Sequence, residues 1–228
     1  MRSSPVYSLI ALIFLAITSG CGGDDENPIV PQPPSRTSIE ALLTEFFEVA
    51  YQSKNGALYA EMLSADFEFE FLLADAESLQ NRGILSAGSN SWDRDADLAG
   101  TNNMFGSANV GGIALNISID QPEPDTVACA GCQRVLATVS LRVTTRPNDI
   151  DPIIFVIDSK QEFVVGKDPA DTTQWVIVRQ YDSDLPAKAG GPGLELASPT
   201  KRAGSKPLAT ERTAWGQIKG LFAVLPPG

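Results

Sequence analysis

The sequence reads as an α+β domain, with helical periodicity first and strand alternation after it. Three observations carry this. In TSIEALLTEFFEVAYQ (residues 37–52), Ile39, Leu42, Leu43, Phe46, Phe47 and Ala50 fall on one stripe at the 3.6-residue period. In DFEFEFL (66–72), Phe67, Phe69 and Phe71 point one way and Glu68 and Glu70 the other, the pattern of a half-buried strand. Four more strand-like runs follow, separated by Gly/Pro/Asp-rich turns, and their short connections imply antiparallel neighbours. Helices followed by a run of strands make an α+β order.

Element by element, Thr37 and Glu40 are spaced as a capping box for the first helix, which KNG (54–56) ends. A second short helix turns Leu58, Tyr59, Met62 and Leu63 inward. A third is expected from Ser91 to about Met104, with Asp93 and Asp95 favourable near its N-terminus and Gly100 weakening its last turn. The later strands are expected over 113–119, 134–143, 153–165 and 174–181. Within RVLATVSLRV, the face of Val135, Ala137, Val139, Leu141 and Val143 is wholly apolar, and by alternation nearly every strand carboxylate points outward. After Asp184 the composition predicts a flexible segment over 183–209 and an amphipathic helix over 210–223, with Trp215, Ile218 and Phe222 on one stripe.

The N-terminus carries a different signal. Arg2, the apolar run LIALIFLAI (9–17) and small residues Thr18, Ser19 and Gly20 form a secretory signal, too short for the roughly 20 residues that span a bilayer. With Cys21 behind it, the segment resembles the lipobox of bacterial lipoprotein signals. Ser19, Gly20 and Cys21 fit that pattern, while Thr18 stands where leucine is usual. The resemblance implies cleavage after residue 20, lipidation of Cys21 and, with Gly22 following, sorting to the outer membrane. The alternative is an ordinary signal peptide with an incidental cysteine. Residues 21–36, rich in Gly and acids with four prolines, have no periodic apolar face and read as an extended tether.

Composition excludes several function classes. The formal charge is −11, with 17 basic against 28 acidic residues, so phosphate backbones are repelled and nucleic-acid binding is disfavoured. Membrane contact is expected from the lipid anchor and not from a basic patch. There is no histidine, which excludes Ser-His-Asp and Cys-His nucleophilic sites and His-based zinc. No metal or cofactor is expected. Without such a residue, stability should be flat between about pH 5 and 8 unless a buried acid has a raised pKa.

Cys129 and Cys132 in CAGC have three readings. A redox motif should cap a helix, and here a β-alternating run follows. A metal site would have two ligands of four. A disulfide fits best: a four-residue turn brings its ends within bonding range, Gly131 permits a positive φ, and an exported chain meets an oxidising compartment.

The stretches ALLTEFFEVAYQSKNGALYAEMLSADFEFEF (41–71) and QWVIVRQYD (174–182) resemble the nuclear transport factor two-like superfamily, which includes polyketide-cyclase-like proteins. The resemblance covers about 37–182. It implies a cone in which a strongly bent antiparallel sheet wraps three N-terminal helices around an apolar cavity. Residues that could line that pocket are Tyr51, Tyr59, Asp97, Trp175 and Arg179. Against this, buried tyrosines with bonded hydroxyls are ordinary core features, and Asp97 reads as the solvent face of the third helix. Glu68 and Glu70, about 7 Å apart on one strand face, read as solvated residues before they read as a catalytic pair.

The function these readings favour is a lipid-anchored, non-catalytic domain of the bacterial envelope that binds a small apolar ligand or a protein partner. The alternatives are an isomerase- or lyase-type enzyme using Tyr or Asp, and a purely structural lipoprotein. Convergence of two or more polar side chains inside a pocket would discriminate them.

Overall fold

The computed structural model describes residues 35–146, 152–182 and 209–223. The expected signal segment, Cys21, most of the tether and nearly all of 183–209 lie outside these residues. The first helix (α1) begins as a π-helical stretch, Ala41–Phe46, and continues as an α-helix, Phe47–Gln52. Then come α2 (Gly56–Glu61), β1 (Leu63–Glu70), α3 (Leu73–Asn81), β2 (Ser91–Asp93), α4 (Arg94–Gly106), β3 (Val110–Ile119) and β4 (Glu123–Asp125). The chain continues with β5 (Cys132–Thr145), β6 (Ile153–Lys167), β7 (Trp175–Tyr181), β8 (Ala209–Arg212) and α5 (Trp215–Phe222). No helix among the described residues is long and apolar enough to cross a membrane.

The strands form one curled half-barrel sheet, ordered β2-β1-β7-β6-β5-β3, with β4 on β5 and β8 on β6. The meander β3, β5, β6 and β7 is antiparallel, as its short connections require. Two pairs are parallel, β1 with β7 and β6 with β8, so the sheet is mixed. The members of these pairs lie far apart in sequence, and no hairpin fixes their direction. Register shifts at Val164/Val165 and between Leu63 and Glu68 bend the strands. The concave face carries the expected apolar row Val135, Ala137, Val139, Leu141 and Val143, all buried against Phe47, Phe69 and Phe163 in one core.

Local chemistry moves several boundaries. The oxygen that caps α1 is Ser38 Oγ, accepting from Ala41 N at 3.0 Å, whereas Thr37 N donates to Ser35 Oγ. Serine one position on offers the same acceptor at better reach. Asn55 caps α2, accepting from Ala57 N and Leu58 N. Ser91–Asp93 is a strand and not a first helical turn, because Trp92 pairs across from Phe69 and is buried there. Asp93 then caps α4 through Ala96 N at 2.9 Å. Helix α3 has no counterpart in the sequence reading, which expected three helices before the meander. Its apolar signal is weak, since Leu73 is 75% exposed and only Ala76 and Leu79 are buried apolar residues. The C-terminal segment opens as β8, and its helix starts only at Trp215.

Strand β3 is an edge, and side chains of α1 and of Lys54 just past its end cover it. Glu48 Oε1 accepts from Ile117 N at 2.6 Å, Gln52 Nε2 donates to Leu115 O at 2.9 Å, and Lys54 Nζ donates to Val110 O at 3.0 Å. Three backbone groups that could template another chain are thereby occupied. Desolvation holds the Glu48 carboxyl above its usual pKa, and the Ile117 N–H partly opposes this. A raised folded pKa stabilises the protonated form, so this contribution is fullest below the unfolded pKa, near 4.3, and is lost as pH rises through the folded value. The stability of wild type relative to Glu48→Gln should therefore fall with pH over that interval and then level off. Thermal midpoints of the two proteins across the acid range check this; a difference that grows with pH contradicts it.

Candidate functional site

Four helices bring one polar cluster into the apolar interior. Helix α1 supplies Tyr51, α2 supplies Tyr59, α4 supplies Asp97 and Thr101, and α5 supplies Lys219, all buried. Asp97 is 0% exposed and Lys219 1%. The Lys219 ammonium contacts Asp97 Oδ1 and donates to Tyr59 Oη at 3.1 Å. Tyr59 Oη donates to Asp97 Oδ2 at 2.6 Å. The three groups close a ring of hydrogen bonds. Aromatic faces wall it in: Nζ lies 4.3 Å from the centroid of Phe69 and 5.6 Å from that of Tyr59.

Asp97 is not on the solvent face assigned to it above. Asp97, Gly100, Thr101, Met104 and Phe105 form the inward stripe of α4, and the apolar pair at its end turns the helix this way. A carboxylate carried inward needs a partner, because an isolated buried charge is very costly. That partner comes from α5, far away in sequence. Lys219 falls on the stripe of Trp215, Ile218 and Phe222 at i+4 from Trp215, and a lysine inside an apolar stripe was the one available signal.

Helix α5 is fitted closely. Trp215 stacks on Phe47 with ring centroids 5.8 Å apart and meets Tyr51 edge-on at 5.4 Å. Asp182 Oδ2 accepts from Gly216 N at 2.7 Å at the helix start, and its Oδ1 accepts from Gln161 Nε2 at 2.9 Å. At the other end Asn103 Nδ2 donates to Phe222 O at 3.2 Å. Glycine inside a helix costs about 1 kcal/mol relative to alanine, yet α5 has two. A Cβ on Gly216 would stand 2.5 Å from Phe71 Cδ1, and one on Gly220 would run into Leu79 Cδ2. These glycines let the helix approach its neighbours.

The electrostatics follow from burial. Desolvation pushes the Tyr51 and Tyr59 phenols well above their ordinary pKa, and the Asp97 carboxylate adds to both shifts. Both hydroxyls therefore stay protonated donors. Desolvation pulls the Lys219 ammonium below its ordinary pKa, with Asp97 opposing. Tyr51 Oη lies near Tyr59, Thr101 and Trp215 without a well-aligned hydrogen bond. Tyr51 Oη and Thr101 Oγ1 are buried polar atoms with no partner among the described residues, as is Gln161 Oε1.

Of the five residues expected near a pocket, Tyr51, Tyr59 and Asp97 come together, and Trp175 and Arg179 stand apart. Val178 is the extra residue of a bulge opposite Val164/Val165, and it reverses the alternation along β7. Gln180 therefore turns inward beside Phe163, while Arg179 turns out to pair with Glu68 at 2.8 Å. Trp175 sits at the strand's start under Lys167 Nζ, 4.1 Å from its ring. Glu70 accepts from Asn90 Nδ2 at 3.1 Å. An open groove of about 400 Å³ lies between the β1 segment Ala65–Glu68 and Ser91–Asp95, and none of the cluster residues lines it. Cys129 and Cys132 are joined as a disulfide, with Cα atoms 5.3 Å apart and Gly131 at φ +83°. No group of three or more His, Cys, Asp or Glu suited to a metal occurs among the described residues.

Removing one member of a buried ion pair strands the other, at a typical cost of about 3–5 kcal/mol. Asp97→Ala should lose stability on that scale, and adding Lys219→Met to Asp97→Leu should regain part of the loss seen in Asp97→Leu alone. Urea midpoints decide. A double variant less stable than both singles contradicts the pairing.

No family model and no curated protein matches this chain. Similar solved structures include nuclear transport factor 2-like proteins and others described differently. One is a superfamily protein from Salmonella enterica, 15% identical, covering 65% of this chain and 89% of its own, with a TM-score of 0.38. A second is a nuclear transport factor 2-like protein of unknown function from Prochlorococcus, 14% identical, covering 63% and 87%, with a TM-score of 0.37. A third is a conserved protein from Planctomyces limnophilus, 10% identical, covering 63% and 90%, with a TM-score of 0.43. The likeness is one of chain path, and nothing of their chemistry comes with it.

Proposed function

We propose that this chain is a lipid-anchored protein of the bacterial cell envelope whose cone is a non-catalytic module, meeting its partner with the outer surface. The observation that supports the second half is the mutual saturation of Tyr59, Asp97 and Lys219. All three are buried, each bonds the other two, and the chain's own helix α5 occupies the interior. A general acid or base must reach a substrate proton within hydrogen-bond distance, and these groups face one another instead. The anchor rests on the N-terminal pattern, Arg2, the apolar run to Ile17 and Ser19-Gly20-Cys21, with an acidic, proline-rich tether behind it.

A second reading has one observation in its favour. Tyr51, Tyr59 and Asp97 converge in an apolar environment that raises the pKa of both tyrosines, and perturbed groups of this kind occur at catalytic sites. An isomerase or lyase built on them would require α5 to leave the interior.

Two measurements test the proposal. Radiolabelled palmitate should enter wild type and not Cys21→Ser; equal labelling, or none, removes the anchor. Native mass spectrometry of the purified protein should show no stoichiometric small molecule. A retained apolar compound would place a ligand inside the cone and favour the second reading.

A further inference from the structure

The buried ring of Lys219, Asp97 and Tyr59 has the parts of a bond-forming site. We propose that Lys219 Nζ and Asp97 Cγ condense to an amide, covalently joining α5 to α4 inside the folded domain.

Geometry comes first. The amine contacts one carboxyl oxygen, and the phenol bridges the amine and the other oxygen, at 3.1 Å to Nζ and 2.6 Å to Oδ2. The partners are held by two separately anchored helices. Packing together two reacting groups that are distant in the chain confers an effective concentration on the order of 10⁵ M or more when the alignment is productive. Their surroundings are buried and aromatic: the face of Phe69 lies under Nζ, and Tyr51 packs against both Tyr59 and Trp215.

Chemistry follows from burial. Two charges removed from water lose hydration that their mutual attraction repays only in part. Passing a proton from the ammonium to the carboxylate in contact with it leaves a neutral amine and a neutral acid; desolvation of Lys219 works in that direction and the charge of Asp97 works against it. An unprotonated lysine in an apolar pocket is a nucleophile. Its lone pair attacks Asp97 Cγ and a C–N bond forms. The charge that builds on Oδ2 is held by the Tyr59 hydroxyl, nitrogen passes a second proton to Oδ1, which already carries the first, the Cγ–Oδ1 bond breaks, Oδ1 leaves as water, and Cγ–Oδ2 becomes the amide carbonyl. A carboxylic acid and an amine become an amide and water, with no oxidant, reductant or activating group consumed. The product suits the site better than the ions do. Its carbonyl retains the Tyr59 hydroxyl as donor, its single N–H lies by the Phe69 ring, and no buried charge remains.

The consequence is a module whose last helix cannot be peeled away. A tethered envelope protein exposed to proteases and shear gains a closed loop running from α4 to α5.

Tryptic mapping of the purified, reduced, full-length protein tests this. The cross-link predicts one branched species joining the peptide Asp95–Arg134 to the peptide that begins at Thr213 and reads uncut through Lys219, lighter than the two together by one water. In Lys219→Arg the branched species should vanish and the linear peptides appear. In Tyr59→Phe, which keeps the ring, its share should fall. Linear peptides with a free Asp97 carboxyl and cleavage after Lys219 in folded wild type overturn the proposal, and this outcome depends on no variant folding. A branched share unchanged in Tyr59→Phe overturns the stabilising role assigned to that hydroxyl.

Discussion

The interior of this protein depends on a single contact between a lysine and an aspartate out of reach of water. Asp97 enters the core because α4 must bury Met104 and Phe105, and Lys219 enters because α5 must bury Trp215, Ile218 and Phe222. Neither charge could be tolerated alone. Each helix thereby requires the other, and the Tyr59 hydroxyl ties both to α2. This mutual need explains why α5, only eight residues long, holds a defined place. An isolated helix of that length is not stable in water, so its order comes from the site it fills.

Filling the cone changes what its polar residues can mean. Tyr51, Tyr59 and Asp97, seen without α5, look like the acid-base groups of an enzyme. With α5 present, the hydrogen-bonding capacity of Tyr59 and Asp97 is turned on the protein's own lysine, and Trp215 packs over Tyr51. The sheet shows the same tendency to satisfy itself. Its β3 edge is covered by side chains of α1 and by Lys54, and Asp182 just past β7 accepts from the first turn of α5. What remains accessible is the outer surface, including the acidic groove beside β1.

Much of the fold was legible because apolar periodicity is strong where burial is one-sided. The α1 stripe, Phe67, Phe69 and Phe71 along and just past β1, and the apolar row of β5 lie as alternation and helical period require. Legibility failed where a signal was absent or crossed by another. Helix α3 buries too little to show a period. Asp97 is polar on an inward stripe, and nothing near it in sequence announces the lysine that neutralises it. Arg179 sits two residues from buried Ile177, so alternation puts both on one face, and the bulge at Val178 separates them. Bulges and ion pairs between distant segments are tertiary choices, and local pattern does not encode them. The Cys129–Cys132 pair was readable because its geometry is local.

The central claim is that α5 is a permanent part of the core and not a helix that comes and goes over an empty cavity. Native-state hydrogen exchange of backbone amides tests it most directly, because exchange reports the free energy of opening segment by segment. The amides of α5 from Ile218 to Phe222 should exchange as slowly as those of central strand β5, through global unfolding alone. If they exchange like an exposed, freely opening helix while β5 stays protected, the interior is a pocket with a movable occupant, and the self-filled cone is wrong.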